Sequence, residues 1–301
     1  MGAEPRYLAV PNFSEGSSAA KLGVISASLG GHGAERLDLH LDRDHNRAVF
    51  TLAGTESQLV EGIFAAAASA IGQIDMRAYV GLHPAVGALD VCPIVALDGP
   101  ALSAARLIAR RLGARLGDEL GLPVLLYGAL ASDPAHRERH FFRDGGLRRL
   151  SERLWAGELV PDFGPRSPHP TAGVTLLTAR KPLAAFNFEL NRADLDLART
   201  AAAALRESGG GPIGVRAIGL LLSSGRAQVS TNIHDPIAVP IATVLARLEA
   251  ILAPLGGRVI EAELVGLLPL GSELGWPHQR ISIRGYDPDR SLIEARLADS
   301  G

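Results

Sequence analysis

The order of apolar patterns along this 301-residue chain predicts an α+β fold in which one β-α-β-β-α-β unit occurs twice. Three observations carry that expectation. Residues 37–41 alternate apolar and polar, the period-two signature of a half-buried strand, and residues 48–53, apolar but for Thr51, read with them as a second one. Residues 19–29 and 55–74 repeat apolar positions at helical spacing behind capping residues. The same succession of signals returns from residue 183 onward.

Taken in order, residues 7–13 read as a strand. Ser17 and Ser18 cap a helix with apolar positions at Ala19, Leu22, Ile25 and Leu29, stopped by Gly30 and Gly31. Asp44-His-Asn46 supplies turn chemistry between these two strands. Thr55-Glu-Ser-Gln58 is a capping box for a helix to about Ile74, and the apolar run 89–97 closes the first unit. The second unit has strands at 183–190, 215–222, 227–233 and 258–264, with helices at 193–208 and 237–255. Each unit is the split βαβ arrangement of ferredoxin-like domains. A helix at 101–120, a strand at 124–127, an arginine-rich helical stretch and a Gly/Pro-studded loop at 161–173 lie between them. The expected architecture is two ferredoxin-like subdomains, residues 1–178 and 179–301, packed side by side with a cleft between them.

Composition narrows the class. With 47% hydrophobic and 21% charged residues the chain is an ordinary globular protein. A net charge of −2 leaves no basic excess to neutralise phosphates, which excludes a general nucleic-acid binder. The single cysteine, Cys92, sits in an apolar run and reads as a core thiol, and it excludes a disulfide framework. The N-terminus lacks a signal pattern and no apolar run approaches the ~20 residues that span a bilayer. The cytoplasm is the expected location, with no membrane partner.

Most motif matches fail on context. Gly209-Gly-Gly-Pro-Ile-Gly214 follows a helix and precedes a strand, the reverse of a dinucleotide fingerprint. Asp162-Phe-Gly164 stands without a kinase catalytic loop. His136 and His140 are four apart on an expected helix, but no third metal ligand is evident, and a solvated charged face is the simpler reading. His45, in its turn, fits hairpin chemistry and a polar site about equally well. His169 sits in the rigid Ser167-Pro-His-Pro170 loop, where ligand contacts concentrate. His83, in Val80-Gly-Leu-His-Pro-Ala-Val-Gly87, is held out of helix and ladder by Gly81, Pro84 and Gly87. It is either a turn histidine or an imidazole presented at a strand mouth to move protons near neutral pH.

A series of islands resembles the formiminotransferase domain of glutamate formiminotransferases, including that of the bifunctional formiminotransferase-cyclodeaminases. They are Val10-Pro-Asn-Phe-Ser-Glu-Gly16, Asp44-His-Asn-Arg47, Ile74-Asp-Met-Arg77, Gly81 with His83-Pro84, and Gly87-Ala-Leu-Asp-Val-Cys-Pro93. Further on come Leu126-Tyr-Gly128, Pro161-Asp-Phe-Gly-Pro165, Ala179-Arg-Lys181, Ala185-Phe-Asn187, Arg206-Glu-Ser-Gly-Gly-Gly211, Ala227-Gln-Val-Ser-Thr-Asn232 and Glu263-Leu-Val-Gly-Leu267. The similarity fades after about Pro269.

The resemblance implies two ferredoxin-like subdomains and transfer of a formimino group from N-formimino-L-glutamate to N5 of tetrahydrofolate, in histidine breakdown and one-carbon metabolism. It implies His83 as the catalytic histidine. It places a folate-contacting loop on Gly164, Pro165, Arg166, Ser167, Pro168, His169, Pro170, Thr171, Ala172 and Gly173. Tetrahydrofolate enters as co-substrate, no metal is needed, and a homodimer is expected. Arg47, Arg77 and Arg180 are candidate anchors for substrate carboxylates. A monofunctional form without the cyclodeaminase domain is expected. Two departures stand out. Ala85 follows Pro84 where the family usually has arginine, and Arg143-Asp-Gly-Gly146 replaces its Arg-x-Gly-Glu run. Folate-dependent formyl transfer, a non-catalytic folate-binding paralogue and a metal-dependent hydrolase are the alternatives.

Overall fold

The computed structural model describes residues 6–273 and 280–299. The chain divides between Lys181 and Pro182 into two compact units, each built on its own sheet.

In the first unit the strand expected over 7–13 is broken into β1 (Tyr7–Ala9) and β2 (Asn12–Phe13). Pro11 brings no amide hydrogen to the ladder, and Asn12 Nδ2 donates to Val10 O at 2.8 Å across the break. Ser18 caps α1 (Ala19–Gly30), and the hairpin of β3 (Glu35–Asp42) and β4 (Arg47–Gly54) follows. The Thr55–Gln58 capping box opens α2 (Glu56–Gln73), and the chain returns as β5 (Leu89–Val95). With β1 and β2 taken as one strand, the spatial order is β3, β4, β1/β2, β5. The first strand thus lies between the third and fourth, which is the ferredoxin-like arrangement.

The chain then adds α3 (Leu102–Leu120), β6 (Val124–Leu126), α4 (Arg139–Arg143), α5 (Gly146–Trp155) and β7 (Thr175–Arg180). β7 was not foreseen in the sequence. It lies parallel to and between β5 and β6 and is buried on both faces, so it shows no polar alternation. The neighbours Leu176 and Leu177 belong to different cores. Leu177 joins Phe13, Phe50, Ile63 and Leu112 on the face covered by α1, α2 and α3. Leu176 joins Phe142, Leu150 and Leu154 on the face covered by α4 and α5. This second layer brings the arginine-rich segment over the end of β5.

The helix expected to carry both His136 and His140 does not form. A short 3₁₀ turn covers Pro134–Arg137, Glu138 is extended, and α4 starts anew at Arg139. The His136 ring packs against Phe141 and Phe142 instead of sharing a face with His140.

The second unit comprises β8 (Ala184–Leu190), α6 (Leu195–Leu205), β9 (Val215–Leu221), β10 (Ala227–Ile233), α7 (Ile241–Leu252), β11 (Val259–Leu264), β12 (Ser282–Arg284) and α8 (Ile293–Ala298). Its order, β12-β11-β8-β10-β9, again places the first strand between the third and fourth. Both long helices are shorter than the pattern suggests, because Asp194 caps α6 and Pro240 sets the start of α7. One face packs Phe186, Phe188, Val229 and Leu245 under the helices. Alternate residues point the other way: Asn187 donates to Glu263 at 2.9 Å, and buried Glu189 pairs with Arg226 and Arg284. Among the described residues no helix is long and apolar enough to cross a membrane.

Candidate active site

The β3–β4 turn organises one side of a polar cluster in the first unit. Asp42 Oδ1 accepts from His45 N at 2.8 Å, and Asn46 takes the left-handed conformation with φ 47°. Its short side chain tolerates that region and joins three segments. Asn46 Oδ1 accepts from Gly16 N at 2.9 Å, and Nδ2 donates to Val80 O at 2.8 Å. Arg47, the next residue, turns its guanidinium toward His83.

The segment 79–88 runs without regular structure into β5. Leu82 N donates to Asp44 O at 3.0 Å, and the Tyr79 hydroxyl lies 2.9 Å from His45 O and 3.2 Å from His83 O. A Cβ at Gly81 would stand 2.8 Å from the backbone His45 O, so this crossing requires glycine. Beyond the histidine, Val174 N donates to Val86 O and Ala88 N to Ala172 O, both at 2.8 Å. Gly87 and Gly173 face each other in that pairing, where a Cβ on Gly87 would come 2.1 Å from Val174 O.

His83 is thereby fixed as a buried imidazole, 8% exposed. His45 stacks on it, with centroids 5.8 Å apart and planes 9° from parallel. Two guanidiniums converge on one nitrogen: Arg143 Nη1 lies 3.0 Å and Arg47 Nη1 3.4 Å from His83 Nε2. Guanidinium nitrogens only donate, so Nε2 accepts and the ring proton sits on Nδ1. Asp90, buried in β5, holds Arg143 through Oδ2 and accepts from Val86 N through Oδ1 at 2.8 Å.

The electrostatics follow from that packing. Burial, then the charges of Arg47 and Arg143, hold the His83 imidazole well below its ordinary range, with His45 and Arg139 adding to the effect. Burial and the neighbouring Arg143 and Arg139 lower Arg47 to about 10, and burial also lowers Arg143. Tyr79 is pushed up to about 12, mainly by burial. His83 is therefore neutral at pH 7, and its Nε2 lone pair accepts from the two arginines.

The other sequence candidates separate. Arg47 is in the cluster. Arg77 is not: its exposed side chain forks onto Asp75, with contacts of 2.6–3.1 Å. Arg180 donates to Lys181 O at 2.9 Å, and burial lowers it to about 10. Ala85 packs against the apolar core, and the guanidinium beside His83 comes from Arg143. Arg143 was named in the sequence only as part of a departure. Sixty positions separate it from His83, and only the unforeseen α4–α5 layer brings them together. In the loop 164–173, His169 Nδ1 accepts from Ala172 N at 3.0 Å, and Met76 N donates to Thr171 O at 2.7 Å. The loop's C-terminal end is thus paired with the His83 segment, whereas Pro165, Arg166 and Ser167 are exposed. Asp162 and Phe163 are structural, receiving Leu126 N and Val124 N respectively. Cys92 is a core thiol, fully buried and pushed up by burial.

Comparison with known proteins agrees with the two-unit fold. Residues 6–180 match the model of the formiminotransferase domain, N-terminal subdomain, and residues 185–276 match that of the formiminotransferase domain. The glutamate formimidoyltransferase of Streptococcus pyogenes serotype M1 is 33% identical, covering 96% of this chain and 97% of its own length. That of Thermoplasma acidophilum is 33% identical over 96% of both. The formimidoyltransferase-cyclodeaminase of Rattus norvegicus is 39% identical across 97% of this chain, which spans 60% of that protein.

Proposed function

Because the chain belongs to the formiminotransferase family, we propose that it moves the formimino group of N-formimino-L-glutamate to N5 of tetrahydrofolate, releasing L-glutamate. The single observation that carries the reading is His83, buried, neutral and held at Nε2 in a cluster of arginines. The two units, divided between Lys181 and Pro182 and not after residue 178, which lies inside β7, act as the two subdomains of this one transferase.

N5 attacks the amidine carbon, forming a C–N bond while the π electrons move to the imino nitrogen. The N5 proton passes to His83. Collapse of the tetrahedral intermediate breaks the bond to the glutamate nitrogen, which takes that proton. The group returns to its starting state and no redox change occurs. Such proton transfer contributes ~10²–10⁴ in rate, and holding the two substrates together contributes at least as much. Both substrates carry carboxylates, which suit the excess of guanidinium at this site. The loop 164–173 takes the folate ring system, supported by its pairing with the His83 segment. With this reading go histidine degradation, a cytoplasmic location and a homodimer.

Turnover with N-formimino-L-glutamate, with and without tetrahydrofolate, tests the proposal. Formation of 5-formiminotetrahydrofolate supports it. Glutamate release without folate would make the chain a hydrolase, and folate binding without turnover would make it a binding paralogue. Formyl transfer alone would change the donor.

A further inference from the structure

Resting on His83 as the base, one feature of the cluster works against that role. A base needs its lone pair open to the incoming proton, yet Nε2 of His83 faces Nη1 of both Arg143 and Arg47. The arginines in turn are under-satisfied. The Arg143 side chain is 9% exposed, and its Nε and the Nε of Arg47 are buried without a hydrogen-bond partner among the described residues. Positive charge is in excess here. Arg47 at the start of β4 and Arg139 and Arg143 on α4 surround the ring, together with His45 from the hairpin turn and Tyr79 from the segment before it. The acidic groups are Asp90 on β5, bound to Arg143, and Asp42 at the end of β3, bound to His45 N. A neutral imidazole is a poor third partner for two guanidiniums, whereas a carboxylate matches their forked donors.

We propose that Arg47 and Arg143 form a carboxylate-binding site that gates the base: a substrate carboxylate draws both guanidiniums onto itself and uncovers Nε2 of His83. Asp90 keeps Arg143 within reach of either partner, so Arg143 is a positioning residue for His83 and a binding residue for the anion. The gate gives order to the reaction, since the base is open only when an anionic substrate is present. The added negative charge also offsets one of the positive charges that oppose protonation of the ring, so the base strengthens as it is uncovered.

The test follows the His83 ring signals by NMR as a function of pH in the whole protein, alone and with L-glutamate or p-aminobenzoyl-L-glutamate, and with sodium chloride at matched ionic strength. Either carboxylate is predicted to raise the His83 titration by about one unit or more, the size of a lost neighbouring charge. Chloride leaves it in place. A response to glutamate alone assigns the gate to the formimino donor, and a response to p-aminobenzoyl-L-glutamate alone assigns it to the folate tail. Arg143→Gln should raise the titration without ligand and blunt the response, whereas Arg143→Lys, which keeps the charge, should not raise it. Binding of both carboxylates with no movement of His83, or no binding of either, overturns the proposal. The wild-type titration needs no variant to fold and no turnover. A protein without formimino transfer whose His83 answers to glutamate would refute the function and keep the gate.

Discussion

His45 stacks on His83 with the two ring planes 9° from parallel, although the residues belong to separate segments of the first unit. The stack exists because Asn46, the residue after His45, donates to Val80 O and so holds the 79–88 segment against the hairpin turn. The fold thus uses a turn, rather than a strand or helix, to set the orientation of the ring proposed as base.

Asn46→Ala should therefore damage both stability and activity. It removes the bonds to Gly16 N and Val80 O and leaves a Cβ residue at φ 47°. A loss of about 1–3 kcal/mol is predicted by denaturant unfolding, with a larger drop in kcat/KM than in Tm would suggest. Asn46→Gly, which relieves the backbone but lacks the bonds, should recover part of the stability and little of the activity.

Asp90→Asn should destabilise more strongly. Arg143 and Asp90 are 9% and 3% exposed at their side chains, so the change leaves a buried guanidinium without its counter-charge. Breaking such a pair costs about 3–5 kcal/mol. Urea titration of the variant checks the figure, and a loss under about 1 kcal/mol would mean the pair is open to solvent.

Gly87→Ala should uncouple the loop at 164–173 from the histidine segment. Its Cβ would fall 2.1 Å from Val174 O, so the pairing of Val86 with Val174 must open. The predicted outcome is a cost of about 1–3 kcal/mol together with faster amide exchange at Ala88 and Val174.

Stability should also depend on pH through His83. Its folded value lies well below the ordinary 6.5. Above about 6.5 the ring is neutral in both states and contributes no slope. As pH falls below that, the unfolded chain takes up a proton that the folded chain refuses, and stability declines until the folded value is reached. The slope for one such group is at most about 1.4 kcal/mol per pH unit. His169, also lowered by burial, adds to it. Stability measured from pH 7.5 to 5 should fall less in His83→Gln than in wild type; equal slopes would place the effect elsewhere.

The sequence makes some of this legible and hides the rest for physical reasons. The paired ferredoxin-like units follow from period-two and helical patterns, because β3 and each capped helix have one polar side, whereas β4, expected to be half-buried, is buried from Ala48 to Gly54. β7 escapes because a parallel strand buried on both faces has no alternation to read. His83 is visible through the glycines and proline that hold it out of regular structure. Arg143 is not: nothing in an arginine-rich stretch marks the one guanidinium that turns inward, and only its buried partner Asp90 singles it out. Arg77 shows the converse, since its motif position gave no hint that its guanidinium pairs with Asp75 outside the His83 cluster.

The central claim is that His83 moves the proton in formimino transfer. Its most direct test is the rate of 5-formiminotetrahydrofolate formation by wild type and His83→Asn at saturating N-formimino-L-glutamate and tetrahydrofolate, with tetrahydrofolate binding measured in parallel. The account predicts that binding stays within a few-fold of wild type while kcat falls by ~10²–10⁴. A variant that binds folate and turns over at near the wild-type rate would contradict it.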